Sequence, residues 1–288
     1  MRHLAILLAP LLLAPLPAAA WTATAELGTH ATAASLSAAD FAVTLHMETR
    51  KIEDYEAPAP VFRIEAGGAV LLEHVGEPAG MDEPQGTATL VEIDPSNRGP
   101  EAVFSSFTGG AHCCTALAVA DRDADGRWRV VDLGQWDGDG GAFDDLDGDG
   151  EAEFHERDND FLYAFDCYAC SLAPLTIRAV VGGEVRDVSA EPRFLEAHRT
   201  FLADLEADAP AADEAGKGWW AGWIAAKARV GEGRQAWRRF EREYRPGEDD
   251  GVDVCAVATS PCPDDQWVKR PFPEALRAFL TERGFRIE

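Results

Sequence analysis

Positive charge is scarce in this sequence. Against 51 Asp and Glu stand 26 Lys and Arg, for a formal net charge of −25 over 288 residues. Binding to nucleic acid relies on Lys and Arg to displace counterions from phosphate, so this balance argues for no nucleic-acid partner. Anionic membrane surfaces are disfavoured for the same reason. Cations, a basic protein or a cell-envelope partner suit the charge, while most of the acids read as a solvated surface.

Familiar catalytic patterns are also missing. The chain has no GxSxG elbow, no HExxH and no P-loop. A haem attachment site is excluded because Ser171, not His, follows Cys170. Pairs of acids suited to glycoside hydrolysis carry no weight in a chain so rich in carboxylates. His112, between Gly109-Gly110 and Cys113-Cys114, is the one histidine beside other candidate groups. It reads as a base or ligand in one view and as structural in the plainer one. No catalytic residue is assigned.

Long apolar runs are absent beyond the N-terminus. Leu4 to Ala14 follows Arg2, and Ala18-Ala19-Ala20 precedes Trp21. This is the layout of a secretory signal peptide over residues 1–20, cleaved after Ala20. The run contains Pro10 and is shorter than the roughly 20 residues of a membrane span. No later span is expected, so the processed chain is expected in the periplasm or outside the cell.

The 6 cysteines are Cys113, Cys114, Cys167, Cys170, Cys255 and Cys262. An even set in an exported chain reads as disulfides. Cys255 and Cys262 bracket a short loop and are expected to pair locally. Cys113 and Cys114 are each expected to pair with Cys167 or Cys170, because bonding adjacent residues is strained. A zinc site of four thiolates, with His112 as a further group, competes with this. So does a redox-active Cys167-Tyr168-Ala169-Cys170, although reactive CxxC pairs usually open a helix and this one follows the strand-like run Phe161 to Phe165.

Alternation of apolar and polar residues predicts strands at 41–47, 88–93 and 102–107. Hairpins are expected at 61–73 around Gly67-Gly68, at 115–133, and at 175–188 around Gly182-Gly183. After Pro192 the period changes. Phe194, Leu195, His198, Phe201, Leu202 and Leu205 recur at helical spacing. Further helices are expected over 217–230, with Trp219, Trp220, Trp223 and Ile224 as core, then around 236–244, and from Pro273 to Gly284. The expected fold class is α+β. A β-rich domain over 21–190, antiparallel and sandwich- or partial-propeller-like, precedes a helical region over 191–288.

The strongest chemical signal is acidic. Between Asp137 and Asp160 the carboxylates are opposed by Arg157 alone. Such a cluster repels itself unless neutralised, and a hard divalent cation held by oxygen ligands would do so. Asp145-Leu146-Asp147-Gly148-Asp149-Gly150-Glu151-Ala152-Glu153 places carboxylates at positions one, three and five, with a glycine at the sixth. Glu156 at position twelve completes the formal EF-hand pattern, but the flanks lack helical character.

This stretch resembles the calcium loops of FG-GAP and VCBS repeats, where an Asp-rich turn joins two strands. The resemblance implies calcium held by Asp145, Asp147, Asp149, the carbonyl of Glu151, and Glu153. It covers a few dozen residues, and no run of repeats accompanies it. Asp121-Arg122-Asp123-Ala124-Asp125-Gly126 is a partial second copy with Arg129 at its ninth position, and it reads mainly as a hairpin turn. The wider block, Gly109-Gly110-Ala111-His112-Cys113-Cys114, the Asp-rich loop and Cys167-Tyr168-Ala169-Cys170, resembles a family of exported bacterial proteins. That resemblance implies export and a folded unit, and no activity.

The leading expectation is therefore an exported, calcium-stabilised, disulfide-bonded binding or structural protein. A periplasmic hydrolase with a cleft between the β and helical parts is the alternative. A thiol-disulfide enzyme using Cys167 and Cys170 is the weaker one.

Overall fold

The computed structural model describes residues 23–27, 33–52, 54–78, 86–97, 99–138, 140–211, 214–247, 250–257 and 261–288. The expected export signal lies outside these residues. In chain order the strands are β1 (Ala23–Leu27), β2 (Ala33–Ser37), β3 (Ala42–Ile52), β4 (Tyr55–Ala66), β5 (Ala69–Val75), β6 (Gly86–Val91), β7 (Glu101–Phe107), β8 (Cys113–Arg122), β9 (Trp128–Asp137), β10 (Ala142–Asp144), β11 (Glu153–Arg157), β12 (Leu175–Val181) and β13 (Glu184–Asp187). Helices α1 (Leu195–Ala207), α2 (Lys217–Arg229) and α3 (Gly233–Glu243) follow. The ribbon β14 (Gly251–Cys255) and β15 (Trp267–Pro271) precedes the last helix, α4 (Phe272–Glu282). The antiparallel β-rich start and helical end make this the α+β fold expected from the sequence.

The strands stack in layers. A five-stranded sheet, ordered β1-β6-β7-β8-β9, is central. One face carries Leu90, Ala102, Phe104 and Ala120 against Phe41, Val43, Leu45, Phe62 and Ile64 of the sheet β2-β3-β4-β5 and its approach. The other face carries Val103, Leu117, Val119, Val131 and Leu133 against Phe154 and Val180 of the sheet β10-β11-β12-β13. Side chains alternate across a strand, so Val103 and Phe104 enter different cores. This explains why β7 and β8 read as continuous apolar runs: they are covered on both faces.

The third sheet turns its outer face to the helices. Ile177, Leu175 and Val188 pack with Phe194, and Phe201 of α1 lies against them. The helical layer centres on α2, where Trp220, Trp223 and Ile224 are buried with Trp237, Phe240, Phe272 and Leu276. Burying each of these large apolar side chains contributes about 1.5–3 kcal/mol. Phe161 and Ala173 of the β-rich part join the same cluster, tying the helices to the strands.

Two local expectations are corrected. The run Phe161 to Phe165 is not a strand: a 3-10 turn spans Asn159–Phe161, and turns continue to Asp166. The Asp158 side chain accepts a hydrogen bond from Asp160 N, and Tyr163 takes a φ of 63°, so local polar bonding overrides the aromatic strand propensity. The cysteine connectivity also differs. Cys113 bonds Cys114, Cys167 bonds Cys170 and Cys255 bonds Cys262. Cys167 and Cys170 flank a tight 3-10 turn that brings their Cα atoms to 5.0 Å, within disulfide reach, so neither needs a partner on β8. The local pair expected at Cys255 and Cys262 forms, with a Cα separation of 5.8 Å, and ties the end of β14 to the loop before β15.

Candidate functional site

The Asp-rich segment is the turn of the β10–β11 hairpin, whose last pair before the turn is Asp144 and Glu153. Gly148 and Gly150 take φ values of 83° and 101°, which side chains resist and glycine accepts. The carboxylates organise the turn. Asp145 accepts from the N–H groups of Gly148 (2.7 Å), Asp149 (3.1 Å) and Gly150 (3.1 Å). Asp147 accepts from Asp149 N, and Asp149 accepts from Glu151 N. Carboxylate oxygens of Asp145, Asp147 and Asp149 all lie within 4.8 Å of one another.

Glu153 opens β11 and is buried, with one oxygen accepting from Leu146 N at 3.1 Å. Burial pushes its carboxyl up to about 7, and the Asp147 and Asp149 charges push the same way. Burial likewise raises Glu151, helped by Asp149. The fold therefore brings the carboxylates of Asp145, Asp147 and Asp149 together in the turn, while those of Glu151 and Glu153 stand outside that cluster, Glu153 at the start of β11. Among the described residues one cation opposes the aspartates: Arg193 Nη1 reaches Asp147 Oδ2 at 2.9 Å and Asp149 Oδ2 at 3.4 Å, while its Nε holds Glu191. Sequence spacing carried no signal for Arg193, which lies far along the chain at the entry to α1.

The oxygen-only donor set suits a hard cation such as calcium. The segment around Asp121 differs. Asp121 is fully buried and paired with Arg129 at 2.6 Å, and Asp123 is bonded by the side chain and N–H of Arg127. Arginines thus neutralise these acids, and this segment is the β8–β9 turn.

A second constellation forms around His112. Its Nδ1 lies 2.7 Å from Asp137 Oδ1 at the end of β9, and its Nε2 lies 2.9 Å from the Tyr163 hydroxyl. A carboxylate only accepts, so Nδ1 carries a proton and donates to Asp137. Tyr168 stacks on the imidazole with ring centres 4.0 Å apart. The two disulfides of the block flank this stack, one beside His112 and one around Tyr168. Each disulfide closes within its own segment, and the two segments meet through the His112–Tyr168 stack and the His112–Tyr163 hydrogen bond. All six thiols are bonded, so no free thiol is offered to a metal or substrate. Tyr163 and Tyr168 were not identifiable as partners of His112, because their approach depends on the turn at 159–164.

Behind Asp137 and Tyr168 a cavity of about 640 Å³ opens between β9, the third sheet and α1. Trp136, Asp137, Glu156, Tyr168, Leu175 and Phe201 are among its lining residues. Glu156 is buried, with one oxygen bonded to Arg178 Nη1 at 2.7 Å. Burial pushes its carboxyl up to about 8, against the pull of Arg178.

Residues 195–284, which cover all four helices, match the family model described as the sll0997 C-terminal domain. No solved structure matches the chain. The protein y4bJ of Sinorhizobium fredii is 30% identical over 247 residues, which cover 84% of this chain and 39% of that one. The probable thylakoid lumen protein sll0997 of Synechocystis is 33% identical over 251 residues, covering 85% of this chain and 74% of that protein. Similarity of that extent, across both the layered sheets and the helices, shows that the chain belongs to the family of the probable thylakoid lumen protein sll0997.

Proposed function

We propose that this is an exported binding protein, locked by disulfides and stabilised by calcium at the β10–β11 turn. The observation that carries the metal reading is the convergence of Asp145, Asp147 and Asp149 oxygens within 4.8 Å, beside the buried carboxyl of Glu153. One guanidinium cannot balance three aspartates, and calcium would supply the missing charge. Export is supported by the three disulfides and by the luminal name of the Synechocystis relative. Calorimetric titration with calcium tests the metal reading. The wild type binds, and Asp145→Asn binds at least tenfold more weakly. Equal heats for both proteins would contradict it.

A hydrolytic reading has one specific observation in its favour, the array Asp137–His112–Tyr163. A carboxylate orients an imidazole whose Nε2 meets a hydroxyl, the arrangement that activates nucleophiles and bases. The binding reading is preferred because Tyr163 is exposed rather than set in a cleft wall. Turnover of ester or glycoside substrates by the wild type and its loss in His112→Ala would reverse that preference.

A further inference from the structure

Arg229 is a guanidinium without a counter-charge in a protein that has acids to spare. It closes α2, is half-buried, and lies 4.8 Å over the Phe285 ring. Its Nε is enclosed without a partner. Its two Nη groups are not enclosed in that way, and no described residue accepts a hydrogen bond from Arg229 or pairs with it. The charges of Asp158 and Asp187 bear on it only from beyond ion-pair distance. By contrast Arg63, Arg129, Arg178 and Arg193 each reach a carboxylate at 2.6 to 2.9 Å. Burial lowers the pKa of Arg229, yet a guanidinium stays protonated at any physiological pH. A half-buried charge left unpaired is costly, and an anion placed against it relieves the cost.

Two more arginines meet it. A cavity of about 650 Å³ is lined by Arg229, by Arg234 in the first turn of α3, and by Arg286 of the segment after α4. A Cβ at Gly233 would collide with the carbonyl oxygen of Arg286, so glycine at the start of α3 lets that segment lie there. Arg234 and Arg286 are exposed and pair with no carboxylate among the described residues. We propose that this cavity binds a small organic anion through carboxylate or phosphate oxygens, with Arg229 as the inner contact and Arg234 and Arg286 at the rim.

The lining selects the charge. A cation entering here would meet three guanidinium groups, whereas carboxylate and phosphate oxygens match their forked N–H groups. The one acid among the lining residues, Glu288, is already engaged by Arg277 at 2.7 Å. The start of α3 adds to the same sign: its N-cap residue Glu232 makes no side-chain cap and instead holds Lys227, leaving the first-turn N–H groups to the cavity side. Phe285 and Ala228 supply apolar wall for a carbon skeleton. At about 650 Å³ the space exceeds what an inorganic ion fills and falls in the range of small-molecule sites. The net charge of −25 acts at long range and is screened within about 8 Å at physiological salt, so the local arginines decide. This inference deepens the reading of the protein as a binding module. It shares no residue with the Asp-rich turn and does not depend on calcium there.

The test is calorimetric titration of the full chain, in metal-free buffer, with citrate, with glucose 6-phosphate, and with glucose as the uncharged control. Citrate or glucose 6-phosphate is expected to bind, and glucose is not. Tighter binding of citrate identifies carboxylates as the ligand's anionic groups, and tighter binding of glucose 6-phosphate identifies a phosphate ester. Arg229→Gln is expected to weaken binding about tenfold or more. Arg234→Ala changes an exposed side chain, leaves the core intact and is expected to weaken binding several-fold. Arg238→Ala, exposed on α3 but outside the cavity lining, removes the same charge and is expected to leave the affinity unchanged. Failure of both anions at millimolar concentration overturns the proposal. So does binding that Arg229→Gln and Arg234→Ala leave unchanged, or that Arg238→Ala weakens as much as they do. Equal binding of glucose overturns it as well. A calcium titration run in parallel separates the two readings: calcium binding without anion binding removes this site alone, and anion binding without calcium binding removes the metal reading alone.

Discussion

Arg193 Nη1 stands 2.9 Å from Asp147 Oδ2, so a guanidinium from the entry to α1 reaches into the turn of the β10–β11 hairpin. This contact joins the third sheet to the helical layer through charge as well as through Leu146, which packs beside Phe194 and Phe201. Arg193 and a bound calcium would act on the same carboxylates. Each lowers the repulsion that the other relieves, so they compete.

That competition gives a signed prediction. Arg193→Gln should lower the melting temperature in EDTA, where the guanidinium is the hairpin's counter-charge. The same variant should bind calcium roughly threefold to tenfold more tightly, a gain of about 1 kcal/mol from removing a nearby like charge. Calorimetry and melting curves on the same preparations check both halves.

Two buried glutamates outside the Asp-rich turn make metal-free stability depend on pH. Glu101, held by Ile93 N and Asp94 N, is pushed up to about 7 by burial, and Glu156 is pushed up to about 8. An unfolded chain loses these protons near 4.5, so between there and 7 or 8 the native state holds more protons. Stability from both groups is complete below that lower limit and is lost as pH rises through the folded values. Denaturant unfolding in EDTA should therefore show higher stability at pH 5.5 than at pH 7.5, with a smaller difference in Glu101→Gln.

The helical core predicts a contrast at one residue. Trp220 is fully buried, and its indole N–H has no partner. Trp220→Ala should cost about 3–5 kcal/mol through the cavity it opens. Trp220→Phe keeps most of the volume and removes the unpaired donor, so it should cost under about 1.5 kcal/mol. Urea unfolding of the two variants measures the difference.

The disulfide pattern has a direct chemical check. Proteolysis without reduction, followed by mass spectrometry, should find Cys167 joined to Cys170 and Cys255 joined to Cys262. The peptide carrying Cys113 and Cys114 should be free of links to any other. A peptide linking Cys114 to Cys170 would contradict the fold around His112.

Much of the fold was legible because the sequence keeps its periods. Strands expected at 102–107 and 175–181 match β7 and β12, and the tryptophans of 217–230 face the core of α2 as their spacing predicts. Short elements escaped. β1 pairs with β6 across a long separation, and the ribbon β14–β15 has little alternation to reveal it. The Asp-rich hairpin was readable because its carboxylate spacing is local. Arg193, Tyr163 and the cavity at Glu156 were not, since each is assembled from segments distant in sequence.

The central claim is calcium at the hairpin, and thermal unfolding tests it most directly. The wild type and Asp147→Ala are melted in calcium and again in EDTA. The account predicts that EDTA lowers the melting temperature of the wild type by several degrees and leaves that of Asp147→Ala almost unchanged. Identical wild-type curves in calcium and EDTA would contradict it.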